Sequence, residues 1–216
     1  MYHVKFETFV IGGTDYIIRS LQDRQQFHDP AGTAEAMGIS SATWSLFGTV
    51  WPSGLILADI MSTYDIAGIK ILEVGCGLGI ASLIANARGA SHTASDYHPL
   101  ADEFLQENNR LNELPSQHFE RCDWAEALPE VGLFDLIIGS DLLYEPDHPA
   151  LLSRFIDLHS SPSVKVIIID PGRRQQGQFT RRMEGLGYAA SFTQATESQT
   201  YDRNFTGKIL HYNREN

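Results

Sequence analysis

Ile71-Leu72-Glu73-Val74-Gly75-Cys76-Gly77-Leu78-Gly79-Ile80 is the stretch whose reading decides the fold. An apolar run reaches an acid, and three glycines then follow at alternate positions. Glycine adopts positive φ without a Cβ clash, so such a loop turns tightly and lets backbone approach a ligand closely. Residues Ile80–Arg88 continue with helical spacing, and Gly89 ends the run as a helix C-terminal glycine does. Strand, glycine loop and helix together open a parallel α/β sheet.

Downstream the same alternation repeats. Strand-like Ser91–Ser95 ends at Asp96, and Pro99 opens a helical stretch to about Leu111. Gln117–Cys122 ends at Asp123-Trp124, and Phe134–Ile138 ends at Gly139-Ser140-Asp141. A helix is predicted over His148–Leu158. Val164–Ile169 is the most apolar strand and ends at Asp170, and a helix over Gln178–Leu186 follows. Tyr188–Gln194 and Lys208–Asn213 form a closing strand pair. Strands alternating with helices predict a parallel sheet covered on both faces, with ligands outside the carboxyl ends of the strands. All five of those strand ends carry an acid.

Upstream, residues 2–11 alternate, with Val4, Phe6, Thr8 and Val10 on one face and His3, Lys5 and Glu7 on the other. Gly12-Gly13-Thr14-Asp15 is turn chemistry and Tyr16–Leu21 is again strand-like, so a β-hairpin is predicted. Residues 22–43 are polar and irregular. The aromatic stretch Trp44–Trp51 precedes Ser53, the expected cap of a helix over Gly54–Tyr64. The expected organisation is residues 1–50 as hairpin and aromatic cover and 51–216 as the main domain, in one compact unit.

Composition narrows the function classes. The 216 residues are 43% hydrophobic and 20% charged, with a formal net charge of −11, which suits one globular α/β unit. A negative surface repels phosphate backbones, so general nucleic-acid binding is not expected. Two cysteines make no disulfide framework, and eight scattered histidines lack metal-ligand spacing, so no metal is expected. The amino-terminal residues are no signal peptide, and no run nears the ~18 apolar residues of a membrane span. A monomer in the reducing cytoplasm is the expectation.

A dinucleotide loop, G-x-G-x-x-G or A, would place a small residue at position 80, where Ile80 stands. Glu73 just before the turn would repel a pyrophosphate but suits a cationic amine. S-adenosylmethionine carries an ammonium and a sulfonium and no phosphate. The loop Glu73–Gly79 resembles the first motif of class I S-adenosylmethionine-dependent methyltransferases. That resemblance implies a Rossmann-like seven-stranded fold, mostly parallel, with an antiparallel last strand. It implies that Glu73 and the backbone of Gly75, Cys76, Gly77 and Gly79 hold the methionine moiety. Asp96, with Tyr97 beside it, sits where the family's second-strand acid takes the ribose hydroxyls. Asp123 falls near the adenine amine, and Trp124 packs on the ring. S-adenosylhomocysteine would be the product.

Ser140-Asp141-Leu142-Leu143-Tyr144 ends the fourth strand. An acid and an aromatic three residues apart at this place resemble the seven-strand protein-lysine methyltransferase family. The Asn-Pro-Pro-Tyr of many amide and adenine methyltransferases is absent. Val50-Trp51-Pro52-Ser53-Gly54 fits the tryptophan that this family carries ahead of its first core strand, and Trp51 would lie against the cofactor. A lysine amine, with a pKa of ~10.4, must lose a proton before attack, and burial favours the neutral form. Asp141 would orient the amine and Tyr144 would line its channel, with much of the rate coming from positioning. His148 is a further candidate proton acceptor, and Arg173-Arg174 and Arg181-Arg182 read as a solvated face. A protein substrate is favoured. The alternatives are a small-molecule N- or O-methyltransferase, with residues 1–50 as lid, and a non-catalytic cofactor-binding module.

Overall fold

The computed structural model describes residues 1–126, 129–194 and 205–215; residue 216, the end of the expected main domain, lies outside them. The amino-terminal strands Val4–Ile11 (β1) and Thr14–Leu21 (β2) pair antiparallel, with Ile11 opposite Thr14. A short helix, Thr33–Ala36 (α1), and a single 3-10 turn at Trp44–Leu46 lead to Pro52–Thr63 (α2). The core then runs through Lys70–Val74 (β3), Ile80–Ala87 (α3), Ser91–Asp96 (β4), Ala101–Leu111 (α4) and His118–Arg121 (β5). Phe134–Ser140 (β6), His148–Leu158 (α5), Ser160–Asp170 (β7) and Gln176–Gly185 (α6) follow. Ala189–Gln194 (β8) and Lys208–Arg214 (β9) close the chain.

The large sheet has seven strands in the order β5-β4-β3-β6-β7-β9-β8. β3 lies parallel to both β4 and β6, and β9 alone runs against its neighbours. Strand order therefore reverses between β3 and β6, which puts the crevice of a doubly wound sheet at their carboxyl ends. Apolar runs such as Val166–Ile169 are buried on both faces, as a covered parallel strand requires. One core cluster joins α2, α3 and the hairpin to the sheet, and the other joins α5 and α6 to its opposite face. Among the described residues no helix is long and apolar enough to cross a membrane.

Two local expectations are corrected. In β1 the apolar set Phe6 and Val10 points outward, 55% and 56% exposed, while Ile11 is buried and Phe9 packs on the core. The strand carries apolar residues in both alternating sets, so tertiary contact makes the choice. A Cβ on Gly12 would stand 2.7 Å from Ser62 of α2, and that approach turns Ile11 inward. Ser53 does not cap α2. The helix starts two residues earlier, with Trp51 as its cap residue and Pro52 in the first turn, because proline's fixed φ suits the first helical position.

The hairpin is held by side-chain amides. Asn112 Oδ1 accepts the Ile17 N–H and its Nδ2 donates to the Ile17 carbonyl, both at 2.8 Å. Asn108 does the same for Arg19, at 2.7 Å and 3.4 Å. Residues four apart rise about 6 Å along a helix and residues two apart about 6.8 Å along a strand, so the two amides match the open edge of β2. The Arg19 guanidinium lies 4.2 Å over the Phe104 ring and pairs with Glu103 at 3.2 Å.

Asn108→Ala and Asn112→Ala each leave a backbone N–H and C=O without their partners, and we expect each to cost about 1–2 kcal/mol. Urea unfolding reads the loss, and hydrogen exchange at the Ile17 and Arg19 amides reads its place. Unchanged exchange there would show that the amides do not hold the edge.

Candidate active site

A cavity of about 880 Å³ opens at the carboxyl ends of β3, β4, β5 and β6. Every residue given a cofactor or acceptor role from the sequence lines it except Gly79. Gly79 is the cap residue of α3 at φ 66, and a Cβ there would stand 2.2 Å from Leu105. It shapes the loop and faces away from the cavity. Gly75 and Gly77 do face it, at φ 60 and 56. A Cβ on Gly75 would meet Leu142 at 2.5 Å, and one on Gly77 would meet the Phe47 carbonyl at 2.8 Å.

Glu73 is buried at the end of β3. Its Oε2 accepts the Ser82 N–H at 2.8 Å and the Ser82 hydroxyl at 2.5 Å, which leaves Oε1 for a ligand. Burial pushes its pKa up to about 7 against the pull of the Ser82 bonds, and the Asp96 charge adds to the rise. Asp96 Oδ2 accepts the Gly77 N–H at 2.7 Å and Oδ1 accepts the His98 N–H at 2.8 Å. This carboxylate ties the glycine loop to the end of β4, and each oxygen keeps a lone pair for a hydroxyl. Desolvation raises its pKa, opposed by those backbone bonds. A buried acid, Glu73, and a half-buried one, Asp96, flanking a glycine cradle fit a ligand with an ammonium and vicinal hydroxyls.

The remaining candidates divide. Asp123 Oδ1 accepts the Ala125 N–H at 2.8 Å, which turns the chain so that Trp124 stands against Gly75, 3.4 Å from its would-be Cβ. Trp51 donates from Nε1 to the Leu46 carbonyl at 3.0 Å, and the Arg24 guanidinium lies 4.6 Å over its ring. The Tyr97 hydroxyl donates to the Met37 carbonyl at 2.7 Å, so Tyr97 pins the segment after α1 over the cavity. Asp170, the fifth strand-end acid, turns inward. It is buried, its Oδ1 accepts the N–H groups of Gly172 and Arg173 at 2.8 Å, and it is not part of the cavity wall.

Asp141 has a partner that the sequence reading did not anticipate. Arg173 Nε donates to its Oδ1 at 2.6 Å and Nη2 to its Oδ2 at 2.9 Å. Asp141 sits at φ 55, with its N–H on the Ile169 carbonyl at 2.8 Å. Tyr144 lies beyond it on the rim, and burial of its hydroxyl pushes the pKa up to about 12. Sequence reasoning also missed the mouth, where Gly38, Ile39, Ser40, Thr43 and Leu46 line the opening. Their stretch has no periodicity to mark it. The signal for Arg173 was its place just after a strand end, read instead as a solvated face.

Glu73 makes the site pH-sensitive. Its folded pKa lies above the usual carboxylate value, so without a ligand the ionised form costs stability as pH rises from about 4.5 to about 7. A ligand ammonium needs that ionised form. We therefore expect S-adenosylmethionine affinity by calorimetry to weaken as pH falls through about 7. Glu73→Gln should bind it at least ~10-fold more weakly at pH 8 while gaining thermal stability in the free protein. Equal affinity across pH 6 to 8 would remove Glu73 from the binding site.

Comparison with known proteins agrees with this geometry. The chain is 29% identical to Xenopus tropicalis protein N-lysine methyltransferase METTL21A over 163 residues, 69% of this chain and 75% of that protein. It is 33% identical over 138 residues to the electron transfer flavoprotein beta subunit lysine methyltransferase of Xenopus laevis, covering 61% of this chain and 53% of that one. The chain thus spans from about half to three quarters of these relatives. In fold it is similar to magnesium protoporphyrin IX methyltransferase from Synechocystis PCC 6803, solved with bound SAM. The TM-score is 0.58 at 17% identity, over 74% of this chain and 76% of that one. A TehB-like SAM-dependent methyltransferase from Corynebacterium glutamicum matches with a TM-score of 0.60 at 16% identity, over 87% of this chain and all of that one. The family model described as lysine methyltransferase matches residues 38–185, most of the chain. With the sheet order, the glycine cradle and its two acids already in place, the chain belongs to the lysine methyltransferase family and is an S-adenosylmethionine-dependent methyltransferase.

Proposed function

We propose that the chain methylates the side-chain nitrogen of a lysine in a protein substrate. The observation that carries this reading is that Asp141 and Tyr144 line the same cavity as Glu73 and Asp96, one strand over from the glycine loop. Relatives named as protein-lysine methyltransferases support it. S-adenosylmethionine, when bound, supplies an electrophilic methyl group on a good leaving group and departs as S-adenosylhomocysteine.

The residues of this chain do the rest. Glu73 and the backbone of Gly75, Cys76 and Gly77 hold the methionine end, Asp96 the ribose, and Asp123 and Trp124 the adenine. Trp51, Ser140 and Leu142 close the wall between that end and the acceptor mouth. Tyr144 keeps its proton at any working pH, because its pKa is pushed up to about 12, so it lines the acceptor path as a neutral hydroxyl. Asp141, locked to Arg173, holds the rim of that path in one shape. Positioning of this kind supplies much of a transfer rate. We read residues 1–50 as the cover and 51–216 as the methyltransferase domain of one unit, working as a monomer in the reducing cytoplasm. Both cysteines are free, as that compartment requires.

A methyl-labelled donor incubated with the protein and a lysate tests the substrate. We expect label in acid-insoluble protein, released as methyl-lysine on hydrolysis. Label only in the acid-soluble fraction would favour a small-molecule acceptor. Tight donor binding with no label in either fraction would favour a cofactor-binding module. Asp96→Ala should weaken donor binding by at least ~10-fold, since a half-buried acid that accepts two backbone N–H groups is lost. Asp141→Ala should slow transfer by about 10²-fold with donor affinity changed less than about twofold, because it disturbs orientation rather than the cradle. Unchanged turnover in Asp141→Ala would remove that residue from the mechanism.

A further inference from the structure

We propose that His148 accepts the proton that the substrate ammonium must lose, through its Nε2; this rests on the lysine reading above. His148 is the first residue of α5, and its Nδ1 lies 2.5 Å from the Leu142 carbonyl. A carbonyl only accepts, so Nδ1 carries the hydrogen and the neutral ring keeps its lone pair on Nε2. The ring is set edge-on between Trp124 and Tyr144, with centroids at 5.3 Å and 4.6 Å. All three side chains line the cavity. The tautomer is fixed by backbone, and the ring is fixed by two aromatic neighbours.

Most other titratable groups of the cavity are held by partners, while Glu145 and Asp147 line it as exposed side chains. Asp141 is bound at both oxygens by Arg173. Tyr144 stays a neutral phenol. Glu73, Asp96 and Asp123 stand at the cofactor end, with their backbone and Ser82 partners. His98 takes the Leu100 N–H on Nδ1 and stacks on Phe47 at 3.7 Å, and burial lowers its pKa to about 3. His148 is left with a free lone pair beside the path of an incoming amine.

The charges around it favour the cycle. Glu145 and Asp147, both exposed just ahead of it in the chain, offer the departing proton a route to solvent. Arg173, across the rim, is neutralised by Asp141. In the step itself R–NH3⁺ passes a proton to Nε2, giving R–NH2 and an imidazolium. The amine lone pair then forms the N–C bond as the C–S bond breaks, its electron pair going to sulfur. The imidazolium afterwards releases its proton to water.

Two variants and one spectrum test this. Relative to wild type, His148→Gln should transfer methyl to the labelled protein about 10²-fold more slowly at pH 7.5, the size of a general-base contribution. Its donor affinity should be within about twofold, showing an intact fold. The deficit should close as pH approaches ~10, where the amine deprotonates unaided. Imidazole should restore part of the rate of His148→Ala. Long-range proton–nitrogen spectra of the histidine rings should place the hydrogen of His148 on Nδ1 at pH 8, the signal being assigned by its loss in His148→Gln. Identical pH profiles in wild type and His148→Gln, no rescue by imidazole, or a hydrogen on Nε2 would each overturn the assignment. If wild type labels only a small-molecule amine, the protein-substrate reading fails by itself. The same pH comparison on that amine then decides for or against His148.

Discussion

Between Val74 and Ile80 the chain turns with Gly75, Gly77 and Gly79 all at positive φ, and each of the three presses against a different part of the molecule. Gly75 abuts Leu142 at the end of β6, Gly77 abuts the Phe47 carbonyl of the aromatic stretch, and Gly79 abuts Leu105 of α4. A side chain at any of these positions would push one neighbour away. The loop is therefore the place where the aromatic stretch, α4 and the end of β6 register against one another. Asp96 adds the polar clamp through the Gly77 N–H, and the Cys76 N–H donates to the Ser95 carbonyl at 2.9 Å. Both acids beside the loop, Glu73 and Asp96, take their positions from it, one by sequence adjacency and one by hydrogen bond.

The cavity rim around Asp141 is organised by a second closed set of contacts, between β6 and β7. Asp170 captures the Gly172 and Arg173 N–H groups, which aims the Arg173 side chain back over the cavity rim. Arg173 then grips Asp141, whose own N–H returns to Ile169 beside Asp170. A left-handed conformation at a non-glycine residue costs about 1–2 kcal/mol, and here three elements share in holding it. The bidentate form of the ion pair matters, because a lysine in place of Arg173 would not hold both carboxylate oxygens in plane.

Much of this was legible in the chain itself. Strand–loop–helix periodicity marked the parallel sheet, and the spacing of Glu73, Gly75, Gly77 and Asp96 marked the cradle. Those features are local, set by neighbours a few residues apart or by alternation with a fixed period. What escaped was decided at long range. Phe6 against Phe9 could not be chosen from β1, where either set is apolar. Asp141 reads as a free acid until a residue 32 positions later closes on it. Tyr97 stands beside a binding acid, yet its hydroxyl is committed to Met37, 60 positions earlier. Gly38–Thr43 carries no periodic signal, because a cavity rim asks only for shape.

The amide pairing between β2 and α4 also bears on how the chain is made. Ile17 and Asn112 are 95 positions apart, so the hairpin leaves the ribosome long before its docking helix exists. At common elongation rates that gap is about 5 to 20 s. Throughout it the inward face around Ile11 and Ile18 is uncovered and the β2 edge is open, the condition under which strands find wrong partners. The charged residues interleaved along both strands, Lys5, Glu7 and Asp15 among them, serve the nascent chain in that interval. Their worth is measured in soluble yield during synthesis rather than in the stability of the finished protein.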